Sequence, residues 1–218
     1  TKADLYNMRN NLAAKYKLMN NIEFEAADFQ VGGDYYNNGN GWIPIGDNIT
    51  TTERFSGIFD GQGYSIKNLY LNYTANVTSS NYKGLFGYID TNAIIKNLII
   101  DNITVTGRQY IGGLAGYINE IDITNVHVKN STLSAFYTNV NYLGGCIGNT
   151  YGRYNLIEYC SVRNTILNGV HDDIGGFTGR NSQFTYYVNC FTENVTINAS
   201  GSSRLNIGGF IGNSDQRS

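Results

Sequence analysis

The stretch Gly144-Gly145-Cys146-Ile147-Gly148 decides the fold, because related stretches recur along the chain at a near-constant spacing. Four of them occur, at residues 84–87, 112–116, 175–179 and 208–212. The spacings are 29, 32, 31 and 33 residues when the runs are aligned on matching glycines, namely Gly84, Gly113, Gly145, Gly176 and Gly209. The chain is therefore built from repeats of about 30 residues, a period typical of stacked repeat architectures.

Two asparagine registers lie between the glycine runs. The first sits in the middle of a short strand-like run and contains Asn68, Asn97, Asn125 and Asn189, with Tyr159 in one copy. The second follows five residues later in the last four copies and contains Asn102, Asn130, Asn164 and Asn194. Stacked Asn side chains at bends hydrogen-bond from rung to rung and satisfy backbone groups. We predict a structural ladder whose amides are mostly buried.

Each repeat is interpreted as three short strands and three bends without a helix. Such a unit cannot close a core alone, so neighbouring units must stack in parallel as a β-solenoid. Leucine-rich, propeller, ankyrin and tetratricopeptide repeats differ in period or in helix content. The predicted fold class is all-β, a parallel β-helix with two inward columns, Leu85/Leu114/Cys146/Phe177/Phe210 and Leu98/Val126/Cys160/Cys190. We expect the three cysteines to be free thiols.

The N-terminal segment has a different pattern. Thr1-x-x-Asp4 resembles a capping box, and Leu5, Met8, Leu12 and Tyr16 recur at helical spacing. This predicts a helix over 1–16 that covers the open first coil, then first strands and a loop over 16–54, and stacked coils over 55–218 in one domain. We expect further coils or domains of the same polypeptide beyond Ser218, and weak association through the C-terminal end.

Composition excludes several classes of function. The 218 residues carry a formal net charge of -2, and 15% of them are charged, so a nucleic-acid surface is not expected. No apolar run approaches the roughly 20 residues of a membrane span. The cysteines form no CxxC pair, and with only His127 and His171 the chain cannot contain a His-Glu-x-x-His zinc motif. We therefore expect no cofactor, no metal site and no catalytic residues.

The sequence resembles a known family. The run Phe-Ser-Gly-Ile-Phe-Asp-Gly-Gln-Gly-Tyr-Ser-Ile-Lys-Asn-Leu at 55–69, the stretch 16–24, the turn Trp42-Ile43-Pro44-Ile45-Gly46 and the recurring Gly-Gly-Leu-x-Gly look like the GLUG-repeat β-helix. That module occurs in bacterial cell-surface proteins and in the N-terminal regions of IgA1-type metallopeptidases. The resemblance implies a right-handed parallel β-helix on an extracellular protein, as one module among several, and implies no specific activity.

Aromatic residues are the candidate ligand-binding residues. Tyr35, Tyr36 and Trp42 belong to one loop, and Tyr88 and Tyr117 share one register of successive repeats. Outward rings on a rigid surface stack on sugars or anchor a protein partner. The competing interpretation is that Tyr is a favourable strand residue. The acidic pair Asp172-Asp173 beside His171 is a conceivable metal site, but a solvated turn is favoured because adjacent side chains diverge.

The function that these patterns favour is a non-enzymatic extracellular surface module. It would be adhesin-like or a stalk, with a host or cell-surface protein or glycan as partner. One alternative is an accessory N-terminal domain of a larger secreted enzyme such as an IgA1-type metallopeptidase. A second is a polysaccharide-active β-helix enzyme, which would need clustered acidic residues on one outward sheet.

Overall fold

The chain folds as a parallel β-solenoid. This is a computed structural model, and it describes residues 1–47, 53–137, 141–170, 172–201 and 205–215. Every pairing between the strands of these residues is parallel, and successive coils are stacked in register: Ala115 pairs with Phe86 on one side and with Ile147 on the other. The predicted fold class and period are confirmed. The described residues include no helix that is long and apolar enough to cross a membrane.

Two sheets flank the glycine runs. A five-stranded sheet is made of β6 (Phe86–Ile89), β10 (Ala115–Asn119), β14 (Ile147–Tyr151), β18 (Thr178–Asn181) and β22 (Ile211–Ser214). A four-stranded sheet is made of β9 (Ile111–Gly112), β13 (Tyr142–Gly144), β17 (Asp172–Gly175) and β21 (Leu205–Gly208). The short strand that leads into each of the last four glycine runs is the part of the coil that the three-strand repeat did not include.

The remaining strands form the rest of the coil wall. They are β1 (Lys15–Lys17), β2 (Ile22–Glu23), β3 (Ile58–Asp60), β4 (Ser65–Lys67), β5 (Tyr70–Asn72), β7 (Ile94–Asp101), β8 (Thr104–Gly107), β11 (Asp122–Lys129), β12 (Thr132–Ala135), β15 (Asn155–Glu158), β16 (Ser161–Gly169), β19 (Thr185–Val188) and β20 (Phe191–Ala199). The long strands β7, β11, β16 and β20 bend at asparagines with positive φ, so one strand serves two faces of the coil.

The asparagine columns form the corners. Asn68, Asn97, Asn102, Asn125, Asn130, Asn164, Asn189 and Asn194 all have φ between 47° and 59°, a left-handed conformation that Asn tolerates better than most residues. The side chains form a ladder: Asn164 Nδ2 donates to Asn130 Oδ1 (3.2 Å), and Asn194 Nδ2 donates to Asn164 Oδ1 (3.3 Å). The prediction of buried amides is wrong, because these corners point away from the core and the side chains of Asn130, Asn164 and Asn194 are exposed.

The register of the first coil also differs from the prediction. Lys67 pairs with Asp101, so Asn68 lies in the column of Asn102 and not in that of Asn97, and Asn102 Nδ2 donates to Asn68 Oδ1 (2.8 Å). Asp60 pairs with Lys96, which places Gly61 at the corner that Asn97 occupies in the next coil. The first coil thus makes this corner with glycine, where an added Cβ would lie 2.3 Å from the Asn97 carbonyl oxygen of the next coil.

The core fills the interior of the coils. Leu85, Leu114, Cys146 and Phe177 form one column that is 0% exposed, and Leu98, Val126 and Cys160 form another. Both predicted inward columns are confirmed over these coils. The first coil is closed by aromatic rings, with Trp42, Phe24 and Phe59 each at most 1% exposed. The apolar core therefore runs continuously through the stacked coils.

A short helix covers the N-terminal end. The capping box of Thr1 and Asp4 is confirmed at the start of α1 (Lys2–Asn7), which continues as a 3₁₀ turn over Met8–Asn10. Leu5 and Met8 are buried on the first coil. The predicted helix over 1–16 is too long: Asn11 leaves the helical conformation with φ -150° and ψ 85°. Asparagine is a weak helix former, and three asparagines lie between residues 7 and 11. Further 3₁₀ turns are Ala26–Phe29, Asn37–Gly39 and Thr78–Ser80.

Candidate binding surface

Two of the predicted ligand-binding rings face inward. Tyr35 is 5% exposed and Trp42 is 0% exposed, and their ring centroids are 6.0 Å apart in a cluster with Tyr6 and Phe24. Trp42 Nε1 donates to the carbonyl of Leu85 (3.2 Å). The expectation that Tyr35 and Trp42 present their rings to a ligand is wrong, because the loop folds back over the first coil. Tyr36 lies in the same loop and is half-buried.

Tyr88 and Tyr117 belong to a larger group of rings. They occupy one register of neighbouring coils, as predicted, and their rings stack with centroids 4.5 Å apart. A second stacked pair, Tyr82 and Tyr110, has centroids 4.6 Å apart. Tyr142 and Tyr151 extend the group at 5.0 Å from Tyr110 and 6.4 Å from Tyr117. We call this set the tyrosine cluster, which comprises Tyr82, Tyr88, Tyr110, Tyr117, Tyr142 and Tyr151.

The glycine runs bring these rings together. Tyr82, Tyr110 and Tyr142 each lie two residues before a glycine run, and Tyr88 and Tyr117 each lie one residue after one. At the corner between, a Cβ added to Gly116 would lie 2.4 Å from the Tyr110 carbonyl oxygen, so only glycine allows the two strands of a coil to approach. This spacing is the sequence signal for five of the six rings, and Tyr151 is the one that it does not identify.

Four rings of the tyrosine cluster have raised pKa values. Burial raises the pKa of Tyr88 to about 12, and burial raises the pKa values of Tyr110, Tyr117 and Tyr142 as well. All four phenols therefore stay protonated at physiological pH. Tyr88 is 6% exposed, Tyr117 is half-buried and Tyr151 is 44% exposed. The exposure of the rings therefore increases from Tyr88 to Tyr151. Such a surface offers ring faces and hydroxyl donors without a fixed charge.

Each end of the tyrosine cluster carries an arginine. The Arg54 guanidinium lies 4.3 Å from the Tyr88 ring centroid and its Nη1 bonds Asp90 (2.9 Å). At the other end, Arg180 Nη1 donates to the Tyr142 hydroxyl (3.1 Å) and Nη2 bonds Asp215 (3.1 Å). Both guanidiniums thus lie against rings, a favourable cation–π geometry. Sequence reasoning missed both arginines, although Arg180 follows its glycine run at the position of Tyr117.

Asp173 differs from the solvated turn that the sequence favoured. It is 2% exposed and accepts hydrogen bonds from Asn206 Nδ2 (2.7 Å) and Asn213 Nδ2 (3.2 Å), with Arg180 Nη1 3.6 Å away. Burial raises the pKa of Asp173. His171 lies outside the described residues. Among the residues that are described, no group of three or more His, Cys, Asp and Glu side chains is arranged to hold a metal ion.

His127 has two fixed partners on the coil wall. Its Nδ1 lies 2.9 Å from Ser161 Oγ, and its Nε2 lies 3.0 Å from Asn125 Oδ1. The residue types match a nucleophile, a base and an orienting group. Ser161, however, is 1% exposed and lies beneath the wall, so a substrate has no access to its hydroxyl. The contacts fix the imidazole and link two coils.

Comparison with known proteins finds similar sequences but assigns the chain to no family. No family model matches the chain. It is 31% identical over 166 residues to "Halomucin" of Haloquadratum walsbyi and 38% identical over 133 residues to a "Putative Gly-rich membrane protein" of Evansella cellulosilytica. These matches cover 75% and 59% of this chain but only 2% and 14% of those proteins. The crystal structure of a "putative immunoglobulin A1 protease" from Bacteroides ovatus is 16% identical, with a TM-score of 0.46 over 93% of this chain and 82% of that one. The chain is thus similar to small parts of two much longer proteins.

Proposed function

We propose that this chain is a non-enzymatic binding module of an extracellular, cell-surface protein, and that it binds carbohydrate on the tyrosine cluster. The observation that carries the proposal is the set of six mutually packed tyrosine rings beside the glycine corners. Aromatic faces stack on the apolar faces of sugar rings, and phenol hydroxyls and arginines bond sugar hydroxyls.

Rigidity supports this proposal. Tyr117 is held by the parallel pairing of β10 with β6 and β14, and its ring is packed against Tyr88 and Tyr110. Binding to such a surface orders few side chains, so little conformational entropy is lost. The relatives support the surface location, because one of them is named a Gly-rich membrane protein. We further propose that the coils are repeats of the GLUG type, since they carry its glycine runs.

The test is a glycan array followed by calorimetry with the best oligosaccharide. Tyr117→Ala and Tyr151→Ala should each weaken binding at least tenfold, because each removes a ring face. The matched control is Tyr186→Ala, which removes an equally large ring that is 54% exposed on β19, away from the cluster. Melting curves of all three variants check that they fold.

Two results would refute the carbohydrate proposal. The first is an array without any binding at concentrations up to millimolar. The second is an affinity that falls as much in Tyr186→Ala as in Tyr117→Ala. An accessory role beside a catalytic domain of a larger secreted enzyme remains the second proposal, and it is supported by the small fraction of each relative that the chain matches.

A further inference from the structure

A cavity of about 630 Å³ lies at one side of the tyrosine cluster. It is enclosed by the loop that contains Asn37 and Asp47, by Tyr73, and by the segment from Thr78 to Lys83. Its volume is within the range of small-molecule sites in proteins. Tyr82 lines this cavity and also belongs to the tyrosine cluster, so the two features adjoin.

Lys83 is a buried cation in the wall of this cavity. The residue is 4% exposed, and its Nζ lies 4.2 Å from the centroid of the Tyr73 ring. Within the described part of the chain, Nζ makes no hydrogen bond and no ion pair. Burial lowers the pKa of Lys83 to about 8, and the charge of Asp47 opposes this shift. Burial of the side chain weakens the hydration of its ammonium, and an incoming anion that bonds Nζ would compensate for that loss.

The rest of the cavity wall combines apolar residues, Ile43 and Pro44, with polar side chains, and Asp47 carries its carboxylate. The side chains of Asn40, Thr78 and Ser79 supply amide and hydroxyl groups, and Tyr73 supplies a ring face. The Tyr73 hydroxyl is already occupied, since it accepts from Asn37 Nδ2 (3.0 Å) and donates to the Trp42 carbonyl (3.2 Å). Burial raises the pKa of Tyr73 to about 12, so the ring stays neutral. One cation, one carboxylate and several neutral donors suit a ligand with a single negative charge and several hydroxyls.

We propose that this cavity binds one sugar acid, a monosaccharide ring that carries a carboxylate. The carboxylate bonds Lys83 Nζ, and the ring hydroxyls bond the amide and hydroxyl side chains of the wall. A doubly charged phosphate is disfavoured, because Asp47 shares the cavity with a single cation. The site is separate from the proposed carbohydrate surface on the tyrosine cluster and stands without it.

Calorimetry with sodium glucuronate tests the proposal on the whole chain. Glucuronate should bind at least tenfold more tightly than glucose, which lacks the carboxylate, and at least tenfold more tightly than acetate, which lacks the ring. Lys83→Met keeps the length of the side chain and removes its charge, and it should weaken glucuronate binding at least tenfold. Tyr186→Ala, which removes a ring on β19 that lines neither the cavity nor the tyrosine cluster, should leave glucuronate binding unchanged.

Three outcomes would overturn the inference: equal affinity for glucuronate and glucose, equal affinity for glucuronate and acetate, or undiminished binding in Lys83→Met. A second measurement uses the unmodified chain and does not depend on the folding of a variant. Acetic anhydride labels lysine amines, and mass spectrometry resolves each site. Saturating glucuronate should slow labelling of Lys83 several-fold and leave the half-exposed Lys129 unaffected. Unchanged labelling of Lys83 would also refute the site.

Discussion

The two ends of the solenoid bury the same kind of residue to very different degrees. At the N-terminal end, Ile22 is 5% exposed beneath the cap formed by Leu5 and Met8. At the other end, Ile207 pairs with Ile174 in the same inward column, yet Ile174 is 0% exposed and Ile207 is 50% exposed. An inward residue is therefore buried only where a coil or a cap lies on both sides of it. Stability in this fold is a property of neighbouring coils rather than of single strands.

The largest expected contrast between the ends concerns aromatic residues. Trp42→Ala should cost about 3–5 kcal/mol, because it empties a fully buried site and removes the Nε1 hydrogen bond to the Leu85 carbonyl, which then keeps only its bond from the Ile45 N–H. Phe191→Ala removes a ring that is 40% exposed in the last described coil and should cost under about 1 kcal/mol. Urea unfolding of both variants measures the difference. Equal costs would show that the last described coil is packed as tightly as the capped one.

A second contrast uses two glycines at matching positions in neighbouring coils. A Cβ added to Gly176 would lie 2.0 Å from the Gly209 carbonyl oxygen, whereas a Cβ added to Gly209 would meet nothing within 4 Å. Gly176→Ala should therefore destabilise by about 1–3 kcal/mol or more through overpacking. Gly209→Ala should be neutral or stabilise by about 0.4–1 kcal/mol, because it restricts the unfolded chain. Thermal melting of the pair tests this, and a costly Gly209→Ala would mean that further residues cover this coil.

A smaller effect is expected at the corners, where position along the solenoid should matter little. Asn164 and Asn194 have φ of 47° and 53°. Replacing either by Ala should cost about 1–2 kcal/mol, because Ala is disfavoured in the left-handed region. The glycine variants are the control, since they keep the conformation and remove only the amide ladder. If Asn164→Gly is as costly as Asn164→Ala, the ladder and not the backbone conformation dominates.

The repeated part of the fold was predictable because each coil repeats the environment of the one before. The columns of Leu85 and Leu98 and the shared register of Tyr88 and Tyr117 follow from spacing alone. The left-handed conformation of the corners explains why asparagine recurs there, but the sequence did not predict that these side chains are exposed. Sequence reasoning assigned them a burial cost, whereas the left-handed φ gives Asn its advantage over other residues at exposed corners.

The parts outside the repeat were not predictable in the same way. The loop with Tyr35 and Trp42 has no copy elsewhere in the chain, so its direction depends on contacts with the first coil that no spacing reports. Lys83 is adjacent to a glycine run, where its charge suggests a surface position. Its stem instead passes the site of Gly107, where an added Cβ would lie 2.9 Å from Lys83 Cγ. Long-range packing thus decides the features that form the Lys83 cavity, whereas the tyrosine cluster follows mainly from the repeat spacing.

The smallest effect, on reactivity rather than stability, concerns the thiols. The three cysteines are free, as predicted; Cys146 and Cys160 are 0% exposed, while Cys190 lies in the outermost described coil and is half-buried. The proximity of the two thiols lowers the pKa of Cys190 and raises that of Cys160. Because the thiolate is the reactive form, Cys190 labelling should accelerate as the pH rises, and Cys190 should react ahead of the other two thiols. Iodoacetamide at pH 8 should modify Cys190 first, and Cys146 and Cys160 only after unfolding. Mass spectrometry under denaturing, non-reducing conditions should then count three labels; two missing labels would reveal a Cys160–Cys190 disulfide across the coils.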